Sequence, residues 1–219
     1  MYNTNNIFWI IIALLSFISC NSKIVNNSRV ASLPYYDEAT FTPKWIEADN
    51  GELSDFHKIS AFELFNQLGD TIDQNTFQNK IYVTDFFFTA CPGICPKMTQ
   101  NMAILHDEFI NDDEVRLLSH SVTPKRDSVP ILKTYAVERG INADKWHLVT
   151  GKRSEIYRLG RFDYFVEQDM GLEMEEDDFL HTENFVLIDQ QKHIRGIYNG
   201  LNKADIKQLI ADIKTLKRS

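Results

Sequence analysis

Cysteine is scarce in this chain, with three among 219 residues, and no proline follows position 130. A lone pair or trio of thiols cannot hold a domain together, so the 43% of hydrophobic residues must build a true core. No cluster of Lys and Arg with interleaved aromatics occurs, and the formal charge is −8. An acidic surface repels phosphate backbones, which excludes nucleic acid as a partner and favours cations or a basic protein. Internal repeats are absent. Equally absent are an acid–base dyad, a nucleophile–histidine pair and a glycine loop able to cradle phosphate, so turnover of a small substrate is not expected and an enzyme is not the first reading.

Residues 1–19 contain no Asp, Glu, Lys or Arg. Their apolar run, Ile7 to Phe17, has the length of a signal-peptide core and is too short to span a bilayer. It ends in small and apolar residues before Cys20, as a lipoprotein signal does, although the n-region lacks a basic residue and Phe17 stands where Leu is usual. The expectation is a signal peptide over 1–20 with lipidated Cys20, a flexible tether over 21–44, and one folded domain over 45–219. The anchor would put the domain in the cell envelope, on the periplasmic side of a membrane. Cys91 and Cys95 then remain as the only thiols of the folded part. Outside the cytoplasm such a pair is a structural disulfide, a redox pair or a metal site.

From Trp45 onward strands and helices alternate. Strands are expected at Ile59–Phe65, Thr71-Ile72, Ile81–Phe88, Val115–Val122, Trp146–Val149, Phe185–Ile188 and Ile194–Tyr198. The run IYVTDFFF at Ile81–Phe88 is rich in β-branched and aromatic residues, as a buried central strand is. Helices are expected from Pro96 to about Phe109, over Ser128–Glu138, over Ser154–Leu159 with Ser154 as cap, and over Lys203–Lys217. This order describes an α/β domain with a mixed central sheet flanked by helices, the thioredoxin-like arrangement.

The chemistry concentrates in TACPGICP, Thr89 to Pro96, between the most apolar strand and a helix. Open α/β sheets expose ligand sites at strand ends. Proline is tolerated only in the first helical turn, so Pro96 puts Cys95 at or just before the helix start. There the helix dipole is expected to lower the Cys95 pKa. Thiolates select soft metals, Cu(I) foremost, whereas Cu(II) asks for an imidazole as well. Of six histidines, His57, His106, His120, His147 and His193 lie in or beside regular elements and read as scaffold. His181 stands apart. It ends an irregular stretch just before FVLI, after the acidic run EQDMGLEMEEDD at 167–178, whose Met170 and Met174 are further soft donors.

Four segments together resemble the Sco/SenC copper chaperones of cytochrome c oxidase assembly: FFFTACPGICPKM, LLSHSVTPKRDS, HLVTGKRSEIYRLG and HTENFVLIDQQKHIRGIYNG. The resemblance runs from about Trp45 to Lys217. It implies that Cys91, Cys95 and His181 bind copper, as Cu(I) and Cu(II). It further implies delivery to the copper-bearing subunit of the oxidase, with another periplasmic copper carrier or a thiol reductant as additional partners. Two positions depart from the family pattern: Thr123 stands where Asp usually precedes Pro, and Ala90 where His often precedes the first Cys.

The rival is a thiol-disulfide oxidoreductase that uses Cys91 and Cys95 as a redox-active disulfide and carries no copper. Thioredoxin-like reductases commonly place a cis-proline in the loop before the final hairpin, and here that loop offers His181 instead. A peroxiredoxin is set aside, because Phe88 and Thr84 occupy the places of its Thr and Pro.

Overall fold

A computed structural model of the chain describes residues 28–47, 51–166 and 182–218. The expected signal segment with Cys20, the acidic run 167–178 with Met170 and Met174, and His181 lie outside these residues. Among the described residues no helix is long and apolar enough to cross a membrane.

The chain forms β1 (Glu63–Phe65), β2 (Thr71–Asp73), β3 (Ile81–Phe87), α1 (Cys95–Glu108), β4 (Val115–Ser121), α2 (Val129–Glu138), β5 (Trp146–Val149) and α3 (Arg153–Arg158). After a π-helical turn at Leu159–Asp163 come β6 (Asn184–Ile188), β7 (Ile194–Asn199) and α4 (Lys203–Leu216). The central sheet has the order β5-β4-β3-β6-β7. Strands β3, β4 and β5 run parallel, β6 is antiparallel to β3, and β7, antiparallel to β6, returns to the direction of β3. The short hairpin β1–β2 is joined to β5 by the bridge between Phe65 and Thr150.

Every residue of β3 is buried, because both faces of the sheet are covered. Ile81, Val83 and Phe87 pack with Met98, Met102 and Leu105 of α1, Leu132 of α2 and Leu209 of α4. Tyr82 and Phe86 pack on the other side with Leu64, Ile72, Phe77, Ile156 and Tyr164. Two-faced burial is why the strand reads as an unbroken apolar run instead of an alternation. Each fully buried Met or Leu of α1 contributes about 2 kcal/mol by leaving water.

Two expectations need correction. Ile59–Phe65 is a strand only from Glu63, since Ile59 and Phe62 leave the ladder to fill the second core. Ser154 is not a helix cap. The cap position is Lys152, and the Glu155 carboxylate accepts the Glu63 N–H (3.0 Å), tying α3 to β1.

The expected tether is also part of the domain from Leu33 onward. Leu33 and Tyr35 are buried, and Tyr36 N–H bonds to the Ile194 carbonyl at 3.1 Å. Arg195 of β7 anchors this strap. Its guanidinium donates to the Pro34 carbonyl (3.0 Å), the Leu33 carbonyl (2.6 Å) and Asp189 (3.0 Å), and stacks 3.8 Å from the centre of the Tyr35 ring. Removing one partner of a buried ion pair leaves the other charge uncompensated. Arg195→Met should therefore lower stability by about 4 kcal/mol in urea titration and open residues 33–44 to protease. An unchanged midpoint would show that the strap is held by other contacts.

Candidate metal centre

The loop 88–94 leaves the C-terminal end of β3, and α1 begins at Cys95. The Ile94 carbonyl accepts the N–H groups of Lys97 and Met98, both at 3.0 Å, and Pro96 occupies the first turn, where a missing N–H costs nothing. Cys95 is thereby turned inward against Met98 and Phe87, 5% exposed. Cys91 lies on the rim of the same core, partly exposed, with its N–H on the Phe88 carbonyl (3.3 Å). The two cysteines are free thiols.

Their environments differ in a way the sequence reading had inverted. Partial burial works against a Cys91 thiolate, but it is outweighed by donation from the Cys95 side chain and from the N–H groups of Cys95, Gly93 and Ile94, so the Cys91 pKa is lowered. Burial above all, and then its hydrogen bond to Cys91, pushes Cys95 up to about 12. The amides at the helix mouth serve the sulfur four residues back and leave that of the first helical residue unserved, because Cys95 points into the core. Beneath it lies Asp85, 2% exposed, whose carboxylate accepts the Ser119 hydroxyl at 2.5 Å. Burial raises the Asp85 pKa to about 7 despite that bond.

A second buried carboxylate shapes the loop. Asp127, 0% exposed, accepts from the Thr89 N–H (3.1 Å) and hydroxyl (2.5 Å), the Ser121 hydroxyl (2.6 Å) and the Thr123 hydroxyl (3.0 Å). The loop after β3 is thus bolted to the loop after β4, two residues from Cys91. The departure at Thr123 fits this arrangement, since an ionised Asp there could donate nothing to Asp127. Sequence reasoning missed Asp127 and Asp85. A carboxylate inside the apolar run IYVTDFFF was the available signal for Asp85; for Asp127 it was a place in the family-like segment LLSHSVTPKRDS, which does not reveal the partner Thr89, 38 residues away.

A cavity of about 340 Å³ opens beside the thiols, lined by Phe86, Phe88, Cys91, Cys95, Val122 and Thr182 among others. Thr182 immediately follows His181 in the chain. None of the five described histidines lines this cavity. His57 bonds to the Asp163 carbonyl, His193 to the His57 carbonyl, His106 to the Asn142 N–H and His120 to the Thr84 hydroxyl, all scaffold roles. His147 is buried in β5. Among the described residues no three His, Cys, Asp or Glu side chains converge into a metal-binding group.

The fold and this paired-thiol loop coincide with a known family. A family model described as SCO1/SenC matches residues 50–218. The chain belongs to the SCO1/SenC family. The SCO1 protein homolog of Bacillus subtilis (strain 168) is 29% identical to it over 163 residues, spanning 73% of this chain and 82% of the relative. The structure of a SCO1/SenC family lipoprotein from Bacillus anthracis strain Ames matches with TM-score 0.65 at 28% identity, covering 74% of this chain and 95% of that one. BsSco, described as having a disulfide switch and as a member of the Sco family of cytochrome c oxidase assembly proteins, matches with TM-score 0.62 at 27% identity, over 74% and 94% of the two chains. The thioredoxin-like fold of the Sco domain is therefore the expected one.

Two outcomes follow from the electrostatics of this Sco site. Iodoacetamide at pH 7 should label Cys91 well before Cys95 in the reduced chain, read by peptide mass; equal labelling would contradict the assigned environments. The Asp85 carboxyl ionises near 3.8 when unfolded and near 7 when folded, so burying the charge costs stability that grows as pH rises between those values and is constant above 7. Asp85→Asn should gain about 3 kcal/mol relative to the parent between pH 5 and 8, in parallel urea titrations. A gain independent of pH would mean that Asp85 is not the titrating group.

Proposed function

We propose that this chain is a copper-binding metallochaperone of the cell envelope that delivers copper to the dinuclear copper site of cytochrome c oxidase. The observation that carries the reading is the free dithiol: one sulfur whose ionisation backbone amides favour, the other buried beside it, both on an apolar cavity that Thr182 also lines. Two soft thiolates suit Cu(I), and a dry apolar wall protects a thiolate-bound ion from water and oxidants. With only two ligating side chains among the described residues, a third must come from elsewhere. His181 is our candidate, supported by its position next to Thr182. Its imidazole would serve Cu(II), which two thiolates alone serve poorly.

Copper is cargo here. Cu(I) binds as Cys91 and Cys95 lose their protons, and leaves by stepwise exchange onto the thiolates of the recipient subunit. Oxidation of the pair forms one S–S bond and gives two electrons and two protons to the acceptor, after which no thiolate remains to hold copper. Signal peptide cleavage and lipidation at Cys20 would keep the Sco domain, together with its packed strap from Leu33 onward, tethered by the residues before that strap on the periplasmic face of its membrane. A structural relative described as a lipoprotein supports this placement.

A second reading has an observation of its own. A thiol of lowered pKa beside a buried thiol of raised pKa is the asymmetry of an attacking and a resolving cysteine. The chain would then reduce a partner's disulfide and carry no copper. Titration of the reduced chain with Cu(I) and Cu(II) separates the two. We expect one equivalent bound tightly, lost in Cys91→Ala and Cys95→Ala, and a Cu(II) spectrum altered in His181→Ala. No stoichiometric copper, together with fast disulfide reduction, would leave the oxidoreductase reading standing.

A further inference from the structure

The chain is acidic overall, which suggests a basic partner, yet among the described residues four basic side chains collect on the edge that carries the thiols. Because β3, β4 and β5 are parallel and β6 is antiparallel to them, the loops 88–94, 122–128 and 150–152 and the residues entering β6 share one edge of the sheet. Lys97 lies two residues after Cys95, on the first turn of α1. Lys125 and Arg126 are exposed in the loop that Asp127 fastens to Thr89, and exposed Lys152 follows β5, two strands away at roughly 5 Å per strand. Among the described residues none of these four takes part in an ion pair. Among the described residues of this edge, Asp127 is buried under four donors, Glu155 accepts the Glu63 N–H, and exposed Glu183 accepts the Asn199 amide at 2.6 Å, so the four basic side chains outnumber the accessible carboxylates. Exposed carboxylates such as Asp113 and Asp144 sit at the opposite edge, before β4 and β5. At the centre of the basic collar the apolar side chain of Ile94 is 39% exposed beside Pro92 and Cys91.

We infer that this collar is a docking surface for an acidic protein face that presents its own thiols, with Ile94 as the apolar contact and Lys97, Lys125, Arg126 and Lys152 as the charged rim. The net charge of −8 works against an acidic partner at long range, so the balance depends on screening. At 0.1 M salt the Debye length is about 10 Å, which silences the distant carboxylates and leaves the collar in control at contact. A rim of this kind acts mainly on the association rate and on choice of partner. The inference deepens the proposed function, since it names the chemistry of whatever exchanges ligands or electrons with Cys91.

The test uses two synthetic peptides, each closed by one disulfide, one flanked by Asp and Glu and the other by Lys. Reduced full-length chain reacts with each by exchange: the peptide S–S bond breaks, the Cys91–Cys95 bond forms, and two electrons and two protons pass to the peptide. At 0.1 M salt we expect the acidic peptide to react about tenfold faster, with the difference vanishing at 1 M salt, where the Debye length is about 3 Å. Lys97→Glu with Lys125→Glu, Arg126→Glu and Lys152→Glu should reverse the preference, and the four Gln replacements should erase it. Equal rates in the parent, as self-neutralisation of the collar by the chain's own carboxylates would give, overturn the inference; so does a preference that survives charge reversal. Cu(I) stoichiometry measured on the same preparations keeps the two ideas separate. Loss of preference with copper binding intact sinks only the collar, and the reverse pattern sinks only the metal reading.

Discussion

The position of Pro96 decides what each thiol can do. A proline confined to the first helical turn fixes where α1 starts, and that start sends the side chain of Cys95 into the core while the free N–H groups of Gly93, Ile94 and Cys95 converge on the sulfur of Cys91. Three residues between the cysteines allow this division, with one sulfur at the rim and one below it. Shifting the helix start by one residue would rotate Cys95 by about 100° and dissolve the asymmetry.

Holding such a loop requires a rigid floor, and two buried carboxylates help to supply it. Asp127 gathers four donors from three residues, Thr89, Ser121 and Thr123, none of them basic. Asp85 receives the Ser119 hydroxyl, stays raised, and its charge bears on Cys95. One carboxylate is thus committed to architecture and the other is left near the point of titration.

The fold was legible where burial was two-sided or amphipathic. IYVTDFFF announced the central strand, and the faces of α1 and α4 were readable from helical spacing, since Met98, Met102, Leu105, Ile206, Leu209 and Ile213 are all buried. What escaped the sequence depended on contacts between distant residues. The strap at Leu33–Tyr36 looked like tether because its anchor, Arg195, lies about 160 positions downstream. Ile59 and Phe62 looked like strand because apolar residues that fill a core off the ladder have the same composition as those on it. The thiol pair was legible from its prolines, yet the sulfur that the amides serve was not, because that is a matter of side-chain direction at a helix start.

The account stands or falls on what surrounds one copper ion. X-ray absorption at the copper edge, on the reduced full-length chain loaded with a single equivalent of Cu(I), reads the donor set directly. We predict two sulfur scatterers from Cys91 and Cys95 and one imidazole nitrogen that disappears in His181→Ala. A copper–copper vector, or a donor set unaltered when either cysteine is replaced, would contradict it.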